Sequence, residues 1–292
     1  MIETERATAP TATASTGTAS TGTASTATGG LRATGVRLGY GRTEIVHSAD
    51  LALRPGRVTA LVGPNGSGKS TLLRGLTALQ RPTSGAVVFA DGADASSLTE
   101  RQLAKRVAML AQTQPEPSGV TVREVVGYGR FAHRGRLRSG DPRGAEAIDR
   151  AMAATGVADL AERPIGALSG GQRQRVWLAT CLAQETGTVL LDEPPTYLDV
   201  RYQLEILDIV HELAASGVAV GIVLHDLEQA AEVADDVVLL VDGTVVAHGA
   251  PAEVLTPALL SAAYGVPIDV EPSPDGLRIR PRRRARVASR AA

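Results

Sequence analysis

"RVTALVGPNGSGKSTLLRGLTAL" occupies residues 57–79. Its first third, "RVTALVG", is a short apolar run ending in glycine and reads as a buried strand. Its last third, "KSTLLRGLTAL", has apolar residues at helical spacing. Between them, "GPNGSGKS" fits G-x-x-x-x-G-K-[ST] in the strand–loop–helix context that gives this pattern meaning. Glycines at positions 63, 66 and 68 let the backbone curl until successive N–H groups converge on phosphate oxygens. The helix that follows adds its N-terminal dipole to the same anion. Gly63, Pro64, Asn65, Gly66, Ser67, Gly68, Lys69, Ser70 and Thr71 are therefore candidate nucleotide-binding residues. Lys69 is placed to reach the β- and γ-phosphates of ATP, and the Ser70 hydroxyl to ligate Mg²⁺. A glycine-rich loop that merely turns is the alternative, and it does not account for the ordered strand, loop and helix.

Outward from this unit, strands and helices alternate. "TVLLDE" (Thr188–Glu193) and "VAVGIVLHD" (Val218–Asp226) read as buried strands, and "YQLEILDIVHELAA" (Tyr202–Ala215) as an amphipathic helix. "DDVVLLVDGTVVAHG" (Asp235–Gly249) reads as two strands around an Asp-Gly turn. The alternation argues for an α/β core with a mostly parallel sheet. Residues 120–182 lack strong strands and read as a helical insertion. Asp192, ending a buried apolar strand, is a candidate Mg²⁺ ligand. Glu193, one residue on where the backbone is free to turn, is a candidate general base toward a water beside the γ-phosphate. A solvated strand end is the competing reading for this pair.

The bulk numbers narrow the classes. With 30 basic and 31 acidic residues the net charge is −1, which gives no global case for a nucleic-acid partner. No stretch approaches the roughly 20 apolar residues of a membrane span. "MIETER" opens the chain with no apolar core behind it, so a secretory signal is not expected. Cys181 is the only cysteine, which excludes an internal disulfide and reads as a small buried hydrophobe. The expected location is cytoplasmic. Residues 1–30 form an arm expected to be disordered: from Thr8 to Gly30 it is almost wholly Thr, Ala, Ser and Gly, with no large apolar side chains to bury. Residues 271–292 form a basic tail expected to be flexible. A solvated tail and a weak anchor to anionic lipid both fit its arginines.

"LSGGQRQR" (Leu168–Arg175) sets a serine and two glycines before a helix expected from about Gln172 to Ala183. Ser169 is a good N-cap, and glycines permit close approach of a ligand to the backbone. An ordinary capped helix explains Ser169 but not both glycines. Together the phosphate loop, "LSGGQ" and "LLDE" resemble the nucleotide-binding domain of ATP-binding cassette (ABC) proteins, over roughly residues 31–270. The resemblance implies a P-loop NTPase core of the ABC ATPase type. It also implies an inserted helical subdomain at about 113–186 and an N-terminal antiparallel β subdomain. It further implies a homodimer formed head to tail on ATP, in which Leu168, Ser169, Gly170, Gly171 and Gln172 of one subunit close over the ATP of the other. The signature helix start then supplies part of the charge stabilisation that an inserted arginine gives elsewhere.

Other positions are matched to the family individually. Tyr40 in "LGYG" resembles the aromatic that stacks on adenine; core filler is the alternative. Gln112 in "MLAQ" resembles the glutamine that senses Mg²⁺ and relays to the membrane partner, with Gln114 as a nearby competitor. Asp199 in "TYLD" resembles the interface aspartate, and His225 in "VLHD" the histidine that contacts the γ-phosphate. Pro195 stands where the family usually has Thr, and Glu228 where this branch often has Asn. "QRQRVW", "TYLD" and "HDLEQAAEVADD" resemble ATPase subunits of iron–siderophore importers, close to the haem and cobalamin branches. That resemblance implies ATP hydrolysis at the cytoplasmic face of the membrane, with separate permease subunits and an extracytoplasmic substrate-binding protein as partners. "TVREVVGYGRFAHRGR" (Thr121–Arg136) falls where such subunits grip the permease. A soluble, non-transport ABC ATPase and a module holding ATP as a structural ligand are the competing functions. No Cys, His or carboxylate cluster has metal-ligand spacing, so iron itself is not expected to bind.

Overall fold

The computed structural model describes residues 29–134, 140–194, 200–274 and 276–282. Residues 1–28 of the arm lie outside them, as do Pro195, Asp199 and residues 283–292, whereas its last two residues, Gly29 and Gly30, are buried, with the Gly30 N–H donating to Thr188 Oγ1 at 3.0 Å.

A six-stranded sheet carries the molecule. It is built from β3 (Val58–Val62), β5 (Val107–Leu110), β6 (Thr188–Asp192), β7 (Ala219–Val223), β8 (Asp236–Val241) and β9 (Thr244–Gly249), in the order β5-β6-β7-β3-β8-β9. The first five run parallel, and β9 turns back antiparallel on β8. β3, β6 and β7 are buried along their whole length, as their unbroken apolar sequence requires of strands covered on both faces. Asp242 (φ 44°) and Gly243 (φ 74°) make the β8–β9 turn, both left-handed, the geometry a two-residue hairpin favours.

A second sheet, order β2-β1-β4, combines β1 (Leu31–Tyr40), β2 (Thr43–Leu53) and β4 (Ser84–Phe89), all antiparallel. It packs over α1 (Lys69–Leu76), where Leu38, Val46, Leu72, Leu73 and Leu76 are fully buried. Gly75 sits in that helix because a Cβ there would lie 2.4 Å from Leu38 Cδ1. A one-turn helix, α2 (Glu100–Leu103), precedes β5. The other face of the main sheet is covered by α6 (Val200–Ala215), α7 (Leu227–Val233), α8 (Pro251–Val254) and α9 (Pro257–Tyr264), through Ile206, Val210, Ala230, Val233, Val254 and Leu260. Between β5 and β6 lie α3 (Val122–Val126), a 3₁₀ segment (Gly127–His133), α4 (Gly144–Ala154) and α5 (Gly170–Ala183). These pack around Val125, Val126, Met152, Val157, Ile165 and Val176 as a separate small core.

The C-terminal boundary differs from expectation. Residues 271–282 do not begin a flexible tail. β10 (Ile268–Ser273) and β11 (Gly276–Pro281) pair as an antiparallel hairpin, so Arg278 and Arg280 stand on a strand. "GLRIRP" alternates apolar and basic residues. Leu277 and Ile279 turn to the core beside Val270, while Glu228 Oε1 on α7 accepts the Ile279 N–H at 2.8 Å. The arginines masked this period in a reading by charge.

Candidate active site

The C-terminal ends of the parallel strands converge on one cleft, as open α/β sheets place their ligand sites. β3 delivers the glycine-rich loop, β6 delivers Asp192 and Glu193, β7 leads to His225, and β5 leads to Gln112. The cleft has a volume of about 600 Å³, lined in part by Tyr40, Lys69, Ser70, Gln112, Glu193 and His225.

The loop's glycines are dictated by geometry at two points. Gly63 has φ 144°, and a Cβ there would meet Leu240 O at 2.0 Å. Gly68, at φ 98°, forms the N-cap of α1. Ser67 O accepts the Gly243 N–H at 3.0 Å, so the β8–β9 turn props the loop from behind. Lys69 is 5% exposed and folds back onto its own loop, donating to Gly63 O at 2.9 Å and Pro64 O at 3.0 Å. Burial lowers its pKa, and the nearby Glu193 and Asp192 charges partly offset that.

Ser70 Oγ donates to Asp192 Oδ1 at 2.8 Å. Asp192 Oδ2 is buried with no hydrogen-bond partner. Burial raises the Asp192 pKa and adjacent Glu193 adds to this, while the Ser70 bond opposes it. A hydroxyl and a desolvated carboxylate oxygen left unpaired beside it fit a small hard cation with oxygen ligands.

Glu193 takes a left-handed backbone, φ 54°, which turns its side chain into the cleft instead of along the strand alternation. Gln112 Nε2 donates to Glu193 Oε2 at 2.6 Å, and His225 Nε2 lies 2.6 Å from Oε1. Gln114 instead folds onto Ala111 O. Tyr40, half exposed, ends β1 at the rim, with Arg74 donating to its hydroxyl at 3.4 Å.

The signature residues stand apart from these. Ser169 caps α5, accepting the Gln172 N–H at 3.3 Å, while Gln172 Oε1 accepts the Ser169 N–H at 3.0 Å. The helix thus starts at Gly170, two residues earlier than expected. Neither Leu168 nor any residue from Ser169 to Gln172 lines the cleft. Apart from its chain neighbours and the backbone of its own helix, nothing among the described residues comes within 4 Å of a Cβ built on Gly170. Sequence reasoning missed Gln174, whose side-chain amide donates to Pro194 O and so joins α5 to the residue after Glu193. Its place inside "LSGGQRQR" was the available signal. Asp199 lies outside the described residues. Cys181 is buried, and burial pushes its thiol up to about 12, which leaves it unreactive.

A profile of the ABC transporter family matches residues 46–196. This chain belongs to the ABC transporter family. The ABC ATPase is 41% identical to the ferric enterobactin transport ATP-binding protein of Escherichia coli, over 81% of this chain and 87% of that one. It is 44% identical to the hemin import ATP-binding protein of Streptomyces coelicolor, over 83% and 85% of the two chains. Its fold matches a solved metal-chelate type ABC transporter in an inward-facing conformation, at TM-score 0.74 and 24% identity, covering 87% of this chain and 97% of the other. ATP hydrolysis is accordingly the chemistry of this protein, an ABC transporter ATP-binding subunit.

Proposed function

We propose that this ABC ATPase powers import of a ferric siderophore through separate membrane permease subunits. The carrying observation is the 41% identity with a ferric enterobactin transport ATP-binding protein across nearly the whole of that relative. The iron complex is cargo and does not touch this subunit. An extracytoplasmic substrate-binding protein presents it to the permease. Among the described residues no helix is long and apolar enough to cross a membrane, and no cluster of His, Cys, Asp or Glu is arranged to hold a metal. The subunit is assigned to the cytoplasmic face of the membrane, held there by its permease.

In the reaction, the loop from Gly63 to Thr71 cradles the phosphates and Tyr40 stacks on adenine. Ser70, Asp192 and Gln112 would hold Mg²⁺, which supplies charge neutralisation at the β- and γ-phosphates when bound. Glu193 accepts a proton from the water that attacks the γ-phosphorus, as the bond to the β-phosphate oxygen breaks and ADP leaves. His225 donates to the γ-phosphate. Gln112 and His225 hold different oxygens of the Glu193 carboxylate here and orient it, and each oxygen keeps a further lone pair with which to accept a proton. The open space over Gly170 supports a head-to-tail homodimer in which Leu168–Gln172 and Asp199 complete the partner's site. A helix start whose glycine serves no packing inside its own chain is available to a ligand from outside it.

A haem importer is the second reading, favoured by the 44% identity to the hemin import ATP-binding protein. Uptake of labelled ferric siderophores, haem and cobalamin by a deletion strain separates them. Loss of siderophore uptake alone is the expected result. Lost haem or cobalamin uptake with normal siderophore uptake moves the protein to the neighbouring branch.

A further inference from the structure

Gly243, in the β8–β9 turn, is bonded to two elements that wall the nucleotide cleft. Its N–H donates to Ser67 O at 3.0 Å, and its carbonyl accepts the His47 N–H at 2.7 Å. Ser67 belongs to the phosphate loop, and His47 stands on β2 two residues beyond Ile45. The loop lines the cleft through Gly66 and Gly68, and β2 lines it through Ile45. Tyr40 lines it too, from the end of β1. Gly39 pairs with Glu44 and Tyr40 with Thr43, so Tyr40 and Ile45 sit on one hairpin tip. Gly243 therefore ties that tip to the loop.

The Ile45 carbonyl is wedged between two glycines. A Cβ on Gly68 would lie 3.2 Å from Ile45 O, and one on Gly243 only 2.1 Å from it. Gly68 is explained by its place in the phosphate loop. Gly243 lies outside that motif, far along the chain. Its left-handed backbone does not by itself demand glycine, because Asn and Asp visit that region too. Asp242 beside it is left-handed and carries a side chain, but Asp242 is exposed whereas Gly243 is buried. The close approach of Ile45 is what excludes a side chain at 243.

We propose that Gly243 is a positioning residue for nucleotide binding, fixing the spacing between the hairpin tip that carries Tyr40 and Ile45 and the loop that holds the phosphates. ATP spans that gap, with adenine on Tyr40 and phosphates in the loop. A site already set to the ligand's length spends no binding energy on adjusting itself, and one set wrongly must give up a contact. The inference rests on the proposed adenine contact for what bridges the two walls. The bonds and close contacts of Gly243 lie within this chain.

Equilibrium binding of a non-hydrolysable ATP analogue with Mg²⁺ to the full-length chain tests this. Gly243→Ala drives a methyl group against Ile45 O. It is expected to weaken binding about 5- to 150-fold, what stacking a base on an aromatic ring is worth. Asp242→Ala strains the same turn but adds no atom, so it lowers the melting temperature and leaves affinity unchanged. In a Tyr40→Ala background the Gly243→Ala penalty shrinks about threefold or more, because the contact it spoils is already gone. A merely structural glycine would cost stability and leave the affinity of the folded protein intact. If Gly243→Ala does not fold, His47→Pro decides. β2 is an edge strand of its sheet, where proline is tolerated, and the substitution removes the N–H that Gly243 accepts. Binding then weakens about 2- to 10-fold, the share of one hydrogen bond. Wild-type affinity in folded Gly243→Ala overturns the proposal, as does wild-type affinity in His47→Pro where that variant decides. An equal loss in Asp242→Ala, or an undiminished penalty without Tyr40, overturns it too. Tyr40→Ala that binds as tightly as the wild type counts against the adenine contact alone, and Gly243→Ala is then judged against Asp242→Ala.

Discussion

Glu193 occupies a strained backbone and holds two partners at once, so its chemistry is separable from its packing. Glu193→Gln keeps the shape and removes the proposed base. ATP binding is expected to persist while single-turnover hydrolysis slows by about 10²–10⁴-fold, the usual contribution of a general base. Hydrolysis at the wild-type rate would remove Glu193 from the reaction. Asp192 gives a pH signature. Its pKa is raised by burial, with the Glu193 charge adding to that. In its proposed role Asp192 would hold Mg²⁺ as the ionised carboxylate, so Mg²⁺-dependent nucleotide binding is expected to weaken as pH falls. It does so at a higher pH than the ordinary aspartate value of about 3.9 dictates. Titration of Mg²⁺-dependent binding against pH checks this, with Asp192→Asn as the variant expected to lose that dependence.

At the scale of elements, the strand, loop and helix of residues 58–76 were legible because three independent signals agree: an apolar run, glycines at fixed spacing, and helical period. The β8–β9 hairpin was legible from Asp-Gly alone. Gln112 could be preferred over Gln114 only by resemblance, since sequence does not show which amide turns to Glu193. The φ of Glu193 was foreseeable only as freedom to turn, because left-handed backbone at glutamate is set by its surroundings and not by its own preference. The β10–β11 hairpin was hidden by its arginines, and the Glu228 side chain that holds it is a long-range contact. Glu228→Ala frees the Ile279 N–H, a loss of about 0.5–1.5 kcal/mol for one hydrogen bond. Trypsin cleavage after Arg278 is then expected to quicken by about two- to tenfold, because cleavage follows local opening. Unchanged cleavage would show that α7 does not hold the hairpin through this bond.

For the whole molecule, the proposed dimer predicts complementation. Lys69→Ala spoils the phosphate loop, and Ser169→Arg places a bulky cation where Gly170 leaves open space. Each is expected to be inactive alone, while a mixture forms heterodimers with one site spoiled twice and the other intact. Partial recovery of ATPase activity in the mixture is the expected outcome, and full activity of Ser169→Arg alone would end the shared-site reading. The unfilled space over Gly170 has a kinetic corollary. A catalyst split between two identical chains turns over in dilute solution at a rate that rises with the square of subunit concentration. Two subunits fastened to one membrane scaffold meet at an effective concentration of about millimolar order. On the proposed dimer and permease assembly, the rate then becomes first order in assembled complexes, and free subunits are expected to consume almost no ATP.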